Sequence, residues 1–174
     1  VTSAAGSPRS SASATAATPS GTVNVSINLS SLTDAPLTVS VTTRDLAGNT
    51  TAFAGTAATK DSTAPTAPTS ASVAAGAGNA ANFINSSNVA ATSISVVWPA
   101  GANAADQATV TISDGTTSLV SGAQAVNPGA SVSYSINAST LVDGAVTVSV
   151  NATDTAGNAT SFGGTAATKD TVAP

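Results

Sequence analysis

Four residue types with versatile side-chain chemistry are missing from this sequence: the 174 residues include no cysteine, histidine, glutamate or methionine. Without cysteine the chain has neither a disulfide framework nor a thiolate metal site. Without histidine, cysteine and glutamate it also lacks the usual general bases and activated nucleophiles. The sequence therefore predicts a protein that is not an enzyme.

Charge is scarce as well, since only 7% of the residues are charged. The four basic residues are scattered along the chain at Arg9, Arg44, Lys60 and Lys169, so no basic patch is available to neutralise a phosphate backbone. No stretch approaches the roughly 20 apolar residues that cross a bilayer. We expect neither a nucleic-acid partner nor membrane insertion of this segment.

Large apolar residues are few and alanine is abundant, although 41% of the residues are hydrophobic. A net charge of only −4, together with a clean alternation of Val, Ile and Thr, is typical of a folded chain rather than a disordered one. Stability must then come from thin packed layers, hydrogen bonds or bound ions.

The chain repeats itself. "DLAGNTTAFAGTAATKD" begins at Asp45 and "DTAGNATSFGGTAATKD" begins at Asp154, and the same offset of 109 residues holds without a gap over the last 65 residues, of which about half are identical. A period of this length matches one ordinary domain. We predict a complete repeat over 66–174 and an incomplete one over 1–65, whose opening part, equivalent to 66–109, is missing.

Short alternating segments bounded by Gly, Asn, Asp and Pro turns predict strands throughout the complete repeat. About seven strands in about 100 residues are typical of an immunoglobulin-like sandwich. The sequence thus predicts an all-β protein made of tandem antiparallel immunoglobulin-like β-sandwiches. The expected strands are A (66–74), B (92–98), C (107–113), C′ (117–121), E (131–137), F (145–153) and G (159–168).

Two features of this repeat, Trp98 at the end of strand B and the A–B connection, have competing interpretations. Trp98, the only tryptophan, is expected in the core or at its edge rather than as a stacking platform for a ligand. The long A–B connection over 75–91 is rich in Asn, which favours turn bonds to the backbone. We expect Phe83 and Ile84 to attach this connection to the core, and the alternative is a binding loop.

The eight acidic residues are all aspartate, and their positions suggest a cation site. In the expected topology the B–C loop with Asp106 and the F–G loop with Asp154 lie at one end of the sandwich, to which the linker "TKDSTAP" delivers Asp61. Carboxylate and amide oxygens suit a hard cation that takes six to eight oxygens. The hypothesis is a Ca²⁺ ion at the joint between the repeats, bound by Asp61, Asp106, Asp154 and Asn158.

The competing interpretation is that "D-x-A-G-N" is a plain turn and "T-K-D" a solvated linker. Asp170 would lie at a following joint, so we expect it to lack partners here. Asp114 and Asp143 precede glycines at the other end, where turn formation is expected. Lys60 and Lys169 are expected outside the strands, which disfavours a Lys–Asn crosslink.

"VTVSVNATDTAGNATS" followed by "KDTVAP", with "ATVTISDG" upstream, resembles the tandem bacterial immunoglobulin-like repeats of giant secreted adhesins and biofilm-associated surface proteins. This resemblance implies an extracellular stalk on the bacterial cell surface, often with calcium at its joints. It implies Asp154, Asn158 and Asp61 as calcium ligands, with Asp45 and Asn49 as the equivalents in the first repeat. It implies neighbouring repeats of the same polypeptide as the main partners. On these grounds we expect a spacer module cut from a longer array.

Two other functions remain open. The chain is alternatively a subunit of a filament or surface layer, with other copies as partners, that assembles through exposed sheet edges. A third interpretation is a glycan- or ice-binding module, which requires a flat array of Thr or exposed aromatic residues.

Overall fold

The computed structural model describes residues 1–3, 10–14, 22–76 and 78–174. The chain divides into two compact units, Val1–Thr63 and Ala64–Pro174. In the described residues both consist mainly of antiparallel strands, with almost no helix. The all-β class predicted by the alternating segments is therefore confirmed.

The larger sheet of the second unit is centred on two long strands. β9 (Gln107–Ser113) pairs along its whole length with β13 (Gly144–Thr153), from Gln107 opposite Thr153 to Ser113 opposite Thr147. The other edge of β9 is covered by β10 (Ser118–Val120) and β11 (Gln124–Ala125). The other edge of β13 pairs first with β14 (Ala159–Gly163) and then with β15 (Ala167–Lys169).

The smaller sheet of the second unit has the order β12 (Ser131–Ile136), β8 (Thr92–Val97), β6 (Ser70–Val73). Alternation directs one side of every strand toward the other sheet. The buried residues of both sheets form one core, which includes Val73, Ile94, Val96, Tyr134, Val148 and Val150. Trp98 is 1% exposed and belongs to this core, as its sequence context predicted.

The first unit has shorter strands around a smaller buried centre. β2 (Ala35–Thr38) pairs with β1 (Thr2–Ser3) and with β5 (Ala58–Lys60), while β3 (Ser40–Arg44) pairs with β4 (Thr50–Ala54). Its buried apolar residues among those described are Leu32 and Leu37. Strands equivalent to β6 and β8 would come from the part of the repeat that this unit lacks.

Strand C lies where the sequence predicted it, but strand G does not run continuously over 159–168. It divides into β14 and β15, and the equivalent strand of the first unit divides in the same way into β4 and β5. Three residues, 164–166, lie there opposite two residues of β13, which interrupts the ladder. In the second unit a Cβ on Gly164 would lie 2.6 Å from the carbonyl oxygen of Ala71, and the Thr165 amide donates to that carbonyl at 2.8 Å. Only glycine permits so close an approach of two backbones.

The A–B connection contains a short strand, β7 (Phe83–Ile84), that adds to the edge of β15 in parallel, and a single 3₁₀ turn at Val89–Ala91. Ile84 is fully buried in the core, so its expected anchoring role is confirmed, whereas Phe83 is 49% exposed and does not share that role. Within the described ranges no helix has the length and apolarity needed to cross a membrane.

Candidate functional site

The motif "D-x-A-G-N" forms the same closed turn in both units. In the second unit the Asp154 carboxylate accepts hydrogen bonds from the Asn158 backbone amide at 2.9 Å and from the Asn158 side-chain amide at 2.8 Å. Asp45 and Asn49 form the equivalent pair of bonds at 2.8 and 2.7 Å. Gly157 completes the turn with φ of 92°, a backbone conformation that glycine adopts without strain.

These bonds stabilise the ionised form of both aspartates. The pKa values of Asp45 and Asp154 are lowered, mainly by the side-chain hydrogen bonds from Asn49 and Asn158 respectively. Both oxygens of each carboxylate therefore accept hydrogen bonds within the turn.

Several of the expected calcium ligands lie at one end of the second unit, here called the entry end. Asp106 and Asp154 directly flank the terminal pair of β9 and β13, Gln107 opposite Thr153. The Thr160 hydroxyl donates to the carbonyl oxygen of Pro65 at 2.6 Å, which holds the start of the unit against the beginning of β14. Asp106 is 3% exposed, an unusual environment for a carboxylate.

The chemistry of this end suits a hard cation, because its candidate donors are carboxylate, amide and carbonyl oxygens. The entry end has few acidic side chains, however. In neither unit do the described residues include a group of three acidic side chains that could hold a metal ion. The second unit supplies Asp106 and Asp154, while Asp61 belongs to the first unit, so the proposed joint site needs both.

The linker aspartates make local bonds. Asp61 accepts a hydrogen bond from the Thr63 amide at 3.0 Å, and Asp170 accepts one from the Val172 amide at 3.1 Å. The Asp170 carboxylate caps the backbone two residues further on, in the pattern of an Asx turn, and its expected role at a following joint stays a prediction.

At the opposite end, the exit end, the last strand is fixed by an ion pair that we call the end clamp. Lys169 is 5% exposed, and its ammonium group donates to the Asp143 carboxylate at 2.6 Å and to the carbonyl oxygen of Leu141 at 2.8 Å. The other carboxylate oxygen accepts from the Thr171 amide at 2.9 Å. The clamp therefore binds the first linker residues to the turn before β13.

The first unit has the same end clamp. Lys60 pairs with Asp34, whose carboxylate also accepts hydrogen bonds from the Ser62 amide at 2.9 Å and the Thr63 hydroxyl at 3.0 Å. The expectation that both lysines lie outside the strands is wrong, since Lys60 ends β5 and Lys169 ends β15. Both units form the clamp because the Asp–Lys pair recurs at the same spacing in each repeat.

The clamps lower the pKa values of their aspartates. The Lys169 ammonium, followed by the Thr171 amide, lowers the pKa of Asp143 to about 2, and Lys60 holds the pKa of Asp34 well below its usual range. Both carboxylates are therefore ionised at neutral pH, as an ion pair requires. Asp143 was expected to form a turn, and in the structure its carboxylate also binds the linker at Thr171.

Asp114 completes the exit end of the second unit. Its carboxylate accepts hydrogen bonds from the Thr116 and Thr117 amides at 2.8 and 2.7 Å, and from the Val142 amide at 2.8 Å. These bonds lower its pKa, with the Thr117 amide as the main cause. Asp114 thus forms the turn predicted for it and joins that turn to the neighbouring one.

A shallow depression of about 250 Å³ lies on the outer face of β9 and β13, near the entry end. Its lining residues are small or polar: Gln107, Ala108, Thr109, Ala123, Asn151 and Thr153. This surface does not offer the aromatic side chains on which sugar rings commonly stack.

No protein-family model matches the chain, and no curated protein matches it. Solved structures to which it is similar include the tetra-tandem repeat in the extending region of a large adhesion protein, with 26% identity, a TM-score of 0.44, and coverage of 84% of this chain and 34% of the other. Another is a Ca²⁺-stabilized adhesin that helps an Antarctic bacterium reach out and bind ice, with 26% identity, a TM-score of 0.41, and coverage of 80% and 32%. The chain spans about a third of the length of both proteins.

Proposed function

We propose that the chain is a structural repeat module of an extracellular bacterial surface protein, in which tandem immunoglobulin-like sandwiches act as a spacer. The single observation that carries this proposal is the end clamp, which occurs in both units at equivalent positions. In each unit a lysine at the end of the last strand and an aspartate from an earlier turn bind the first residues of the linker. A linker fixed where it leaves a folded unit bends less, which is what a spacer requires.

Two further observations agree with this function. The sheet orders β6, β8, β12 and β10, β9, β13, β15 support the proposed immunoglobulin-like arrangement, in which strands A-B-E and C′-C-F-G would form the two sheets. The acidic residues form turns, caps and ion pairs, as expected where aspartate stabilises loops rather than performs acid–base chemistry. The extracellular bacterial location is the one that the sequence resemblance implies. The main partners are neighbouring repeats of the same polypeptide.

The spacer function is tested on the linker between the two units. Backbone ¹⁵N relaxation of residues 61–66 is expected to give order parameters close to those of the strands, because the end clamp of the first unit immobilises Ser62 and Thr63. The Lys60→Met variant should lower these values while leaving the second unit unchanged. Fully flexible linker amides in the unaltered chain would contradict the proposal.

Self-association distinguishes the spacer from a filament or surface-layer subunit. We expect analytical ultracentrifugation at high protein concentration to show a monomer. Reversible polymers that grow with concentration would favour the assembly function instead. Binding in a glycan array or in an ice-affinity assay would favour the third function.

We also propose that Ca²⁺ stiffens the joint between the units, with Asp61, Asp106, Asp154 and Asn158 as ligands, as Asp45 and Asn49 would at a preceding joint and Asp170 at a following one. This proposal is supported by the arrangement of the entry end, where Asp106 and Asp154 flank the terminal pair of β9 and β13. The side chains of all four proposed ligands offer oxygen atoms to a cation. When bound, the ion would supply positive charge beside the buried Asp106 carboxylate.

The calcium proposal has a matched control within the chain. Asp61 and Asp170 make the same local bond to the amide two residues on, but only Asp61 precedes a unit present here. Ca²⁺ should raise the melting temperature of the second unit relative to chelator. The Asp61→Asn variant should lose this increase, whereas Asp170→Asn should retain it. An unaltered melting temperature with and without Ca²⁺ would exclude the ion but leave the spacer function standing.

A further inference from the structure

The first unit exposes apolar residues on paired strands. Val41 and Phe53 lie directly opposite each other on β3 and β4, and they are 49% and 69% exposed. Together they form an apolar surface that we call the open face. Two paired, exposed residues of this size are more than the single scattered apolar side chains that ordinary protein surfaces carry.

The second unit shows what covers the same surface when the repeat is complete. The residues equivalent to Val41 and Phe53 are Val150 and Phe162, which are also paired across their strands. Val150 is 1% exposed and lies in one core with Val73, Ile94 and Val96 of β6 and β8, and Phe162 packs against that core. The cover is therefore a pair of strands with alternating apolar residues.

A second, independent observation concerns residues 22–27, which are equivalent to strand β12. In the second unit β12 has β8 as its strand partner, paired through all six of its residues from Ser131 to Ile136. In the first unit residues 22–27 form no strand, and Val23 and Val25 are 41% and 45% exposed. Their alternating pattern suits a strand, so what they lack is a neighbouring strand to pair with.

We infer that the open face and residues 22–27 together form a docking surface for a two-stranded segment with the pattern of β6 and β8. One strand of this segment would pair with residues 22–27, and its apolar side chains would cover Val41 and Phe53. The occupant is a segment of the same polypeptide joined ahead of Val1, in the way that residues 66–109 are joined ahead of Val110.

A second copy of this chain is not the expected occupant. Each copy already uses its β6 and β8 in its own second unit, where Val73, Ile94 and Val96 are fully buried. Releasing them would expose that core and cost far more than the smaller open face would return. The inference concerns the first unit alone and stands independently of the spacer function and of calcium.

The test compares the chain with a longer version that carries an additional copy of residues 66–109 ahead of Val1. Amide hydrogen exchange is measured at residues 22–27 and 40–54, with the Tyr134 amide in the second unit as an internal reference. We expect exchange at residues 22–27 to slow by about 100-fold or more, because these amides gain strand partners. Binding of a hydrophobic dye to the first unit should fall at the same time.

The control is the same longer chain whose added copy carries Val73→Asp and Ile94→Asp, which cannot be buried without a severe penalty. It should exchange at residues 22–27 as fast as the original chain and still bind the dye. Equal exchange in the original and unaltered longer chains would overturn the inference. So would a concentration-dependent dimer of the original chain that protects Val41 and Phe53, since the occupant would then be a second copy.

Discussion

The two units have closely related sequences over their last 65 residues, yet they differ at one end and not at the other. Leu37 and its equivalent Val146 are 3% and 0% exposed, whereas Val41 and Val150, four residues further along, are 49% and 1% exposed. Leu37 and Val146 lie near the end clamp, where they are buried in both units. Further along the strand, burial depends on the second sheet, so identical valines have different environments.

The pairing of the first strand differs as well. Thr111 lies opposite Ser149 in the second unit, but its equivalent Thr2 lies opposite Thr38, two residues away from the corresponding position Ser40. A shift of two residues keeps the same side chains on the same face, whereas a shift of one would reverse them. Burial in this half of the repeat therefore depends on the second sheet, whereas the end clamp forms in both units.

The largest expected effect comes from placing one charge at the two equivalent valines. Val150→Asp buries an unpaired carboxylate and should destabilise the second unit by more than about 4 kcal/mol. Val41→Asp adds a charge to an exposed site and should change the stability of the first unit by no more than about 0.5 kcal/mol. Urea unfolding followed by Trp98 fluorescence reports the second unit, and NMR of the Leu37 amide reports the first. Equal losses of stability in the two variants would contradict this difference in burial.

The next largest effect concerns the lysines of the two end clamps. Lys169→Met removes the donor to Asp143 and Leu141 from a site that is 5% exposed, and should lower the melting temperature of the second unit by about 5 °C. Lys60→Met should have a smaller effect on the first unit, because the Lys60 side chain is 17% exposed and solvent weakens its ion pair. Calorimetry of both variants checks the order, and a larger loss for Lys60→Met would reverse it.

A smaller effect is expected from acid. The pKa of Asp143 is lowered from 3.8 to about 2 in the folded unit, so its contribution to stability is complete above about pH 4 and disappears as the pH falls through about 2. Thermal unfolding between pH 2 and 5 should therefore show a slope that Asp143→Asn reduces. A matching reduction for Asp34→Asn in the first unit would show that the clamp acts similarly in both units, and an unchanged slope in both variants would contradict this role.

The smallest expected effect is at Tyr134, whose equivalent in the first unit is the exposed Val25. The Tyr134 hydroxyl is buried, and it has no hydrogen-bond partner in the part of the chain that the structure describes. Tyr134→Phe should stabilise the second unit by up to about 1 kcal/mol, because an unsatisfied polar group is removed from the core. Val25→Thr, which adds a hydroxyl to an exposed site, is the control and should have little effect. A clear loss of stability in Tyr134→Phe would show that the hydroxyl is bound.

Local patterns predicted much of this fold because alternation and turn residues act over a few positions. The strand over 107–113, the burial of Trp98 and the turn at Asp154 followed directly from neighbouring residues. The division of strand G did not, since it depends on a mismatch with the neighbouring strand, where three residues, 164–166, lie opposite two residues of β13. The exposure of Phe83 depends in the same way on an added parallel strand that no local pattern predicts.

The end clamp was missed for a different reason. Lys169 and Asp143 are 26 residues apart, and "T-K-D" beside a proline resembles a solvated linker. One signal in the sequence was available: both the lysine and the aspartate recur at the 109-residue offset, as Lys60 and Asp34. The calcium ligands stay a prediction, because the residues proposed for them come from two units.

The end clamp has a consequence for how such a protein can change in length. Every partner in the clamp, Asp143, Lys169 and Thr171 in one unit and Asp34, Lys60 and Ser62 in the other, is encoded within the repeat whose linker it holds. A gene duplication or deletion of one whole repeat therefore leaves every remaining clamp with both of its charges. Recombination between repeats can change the length of an array without any compensating substitution at these sites.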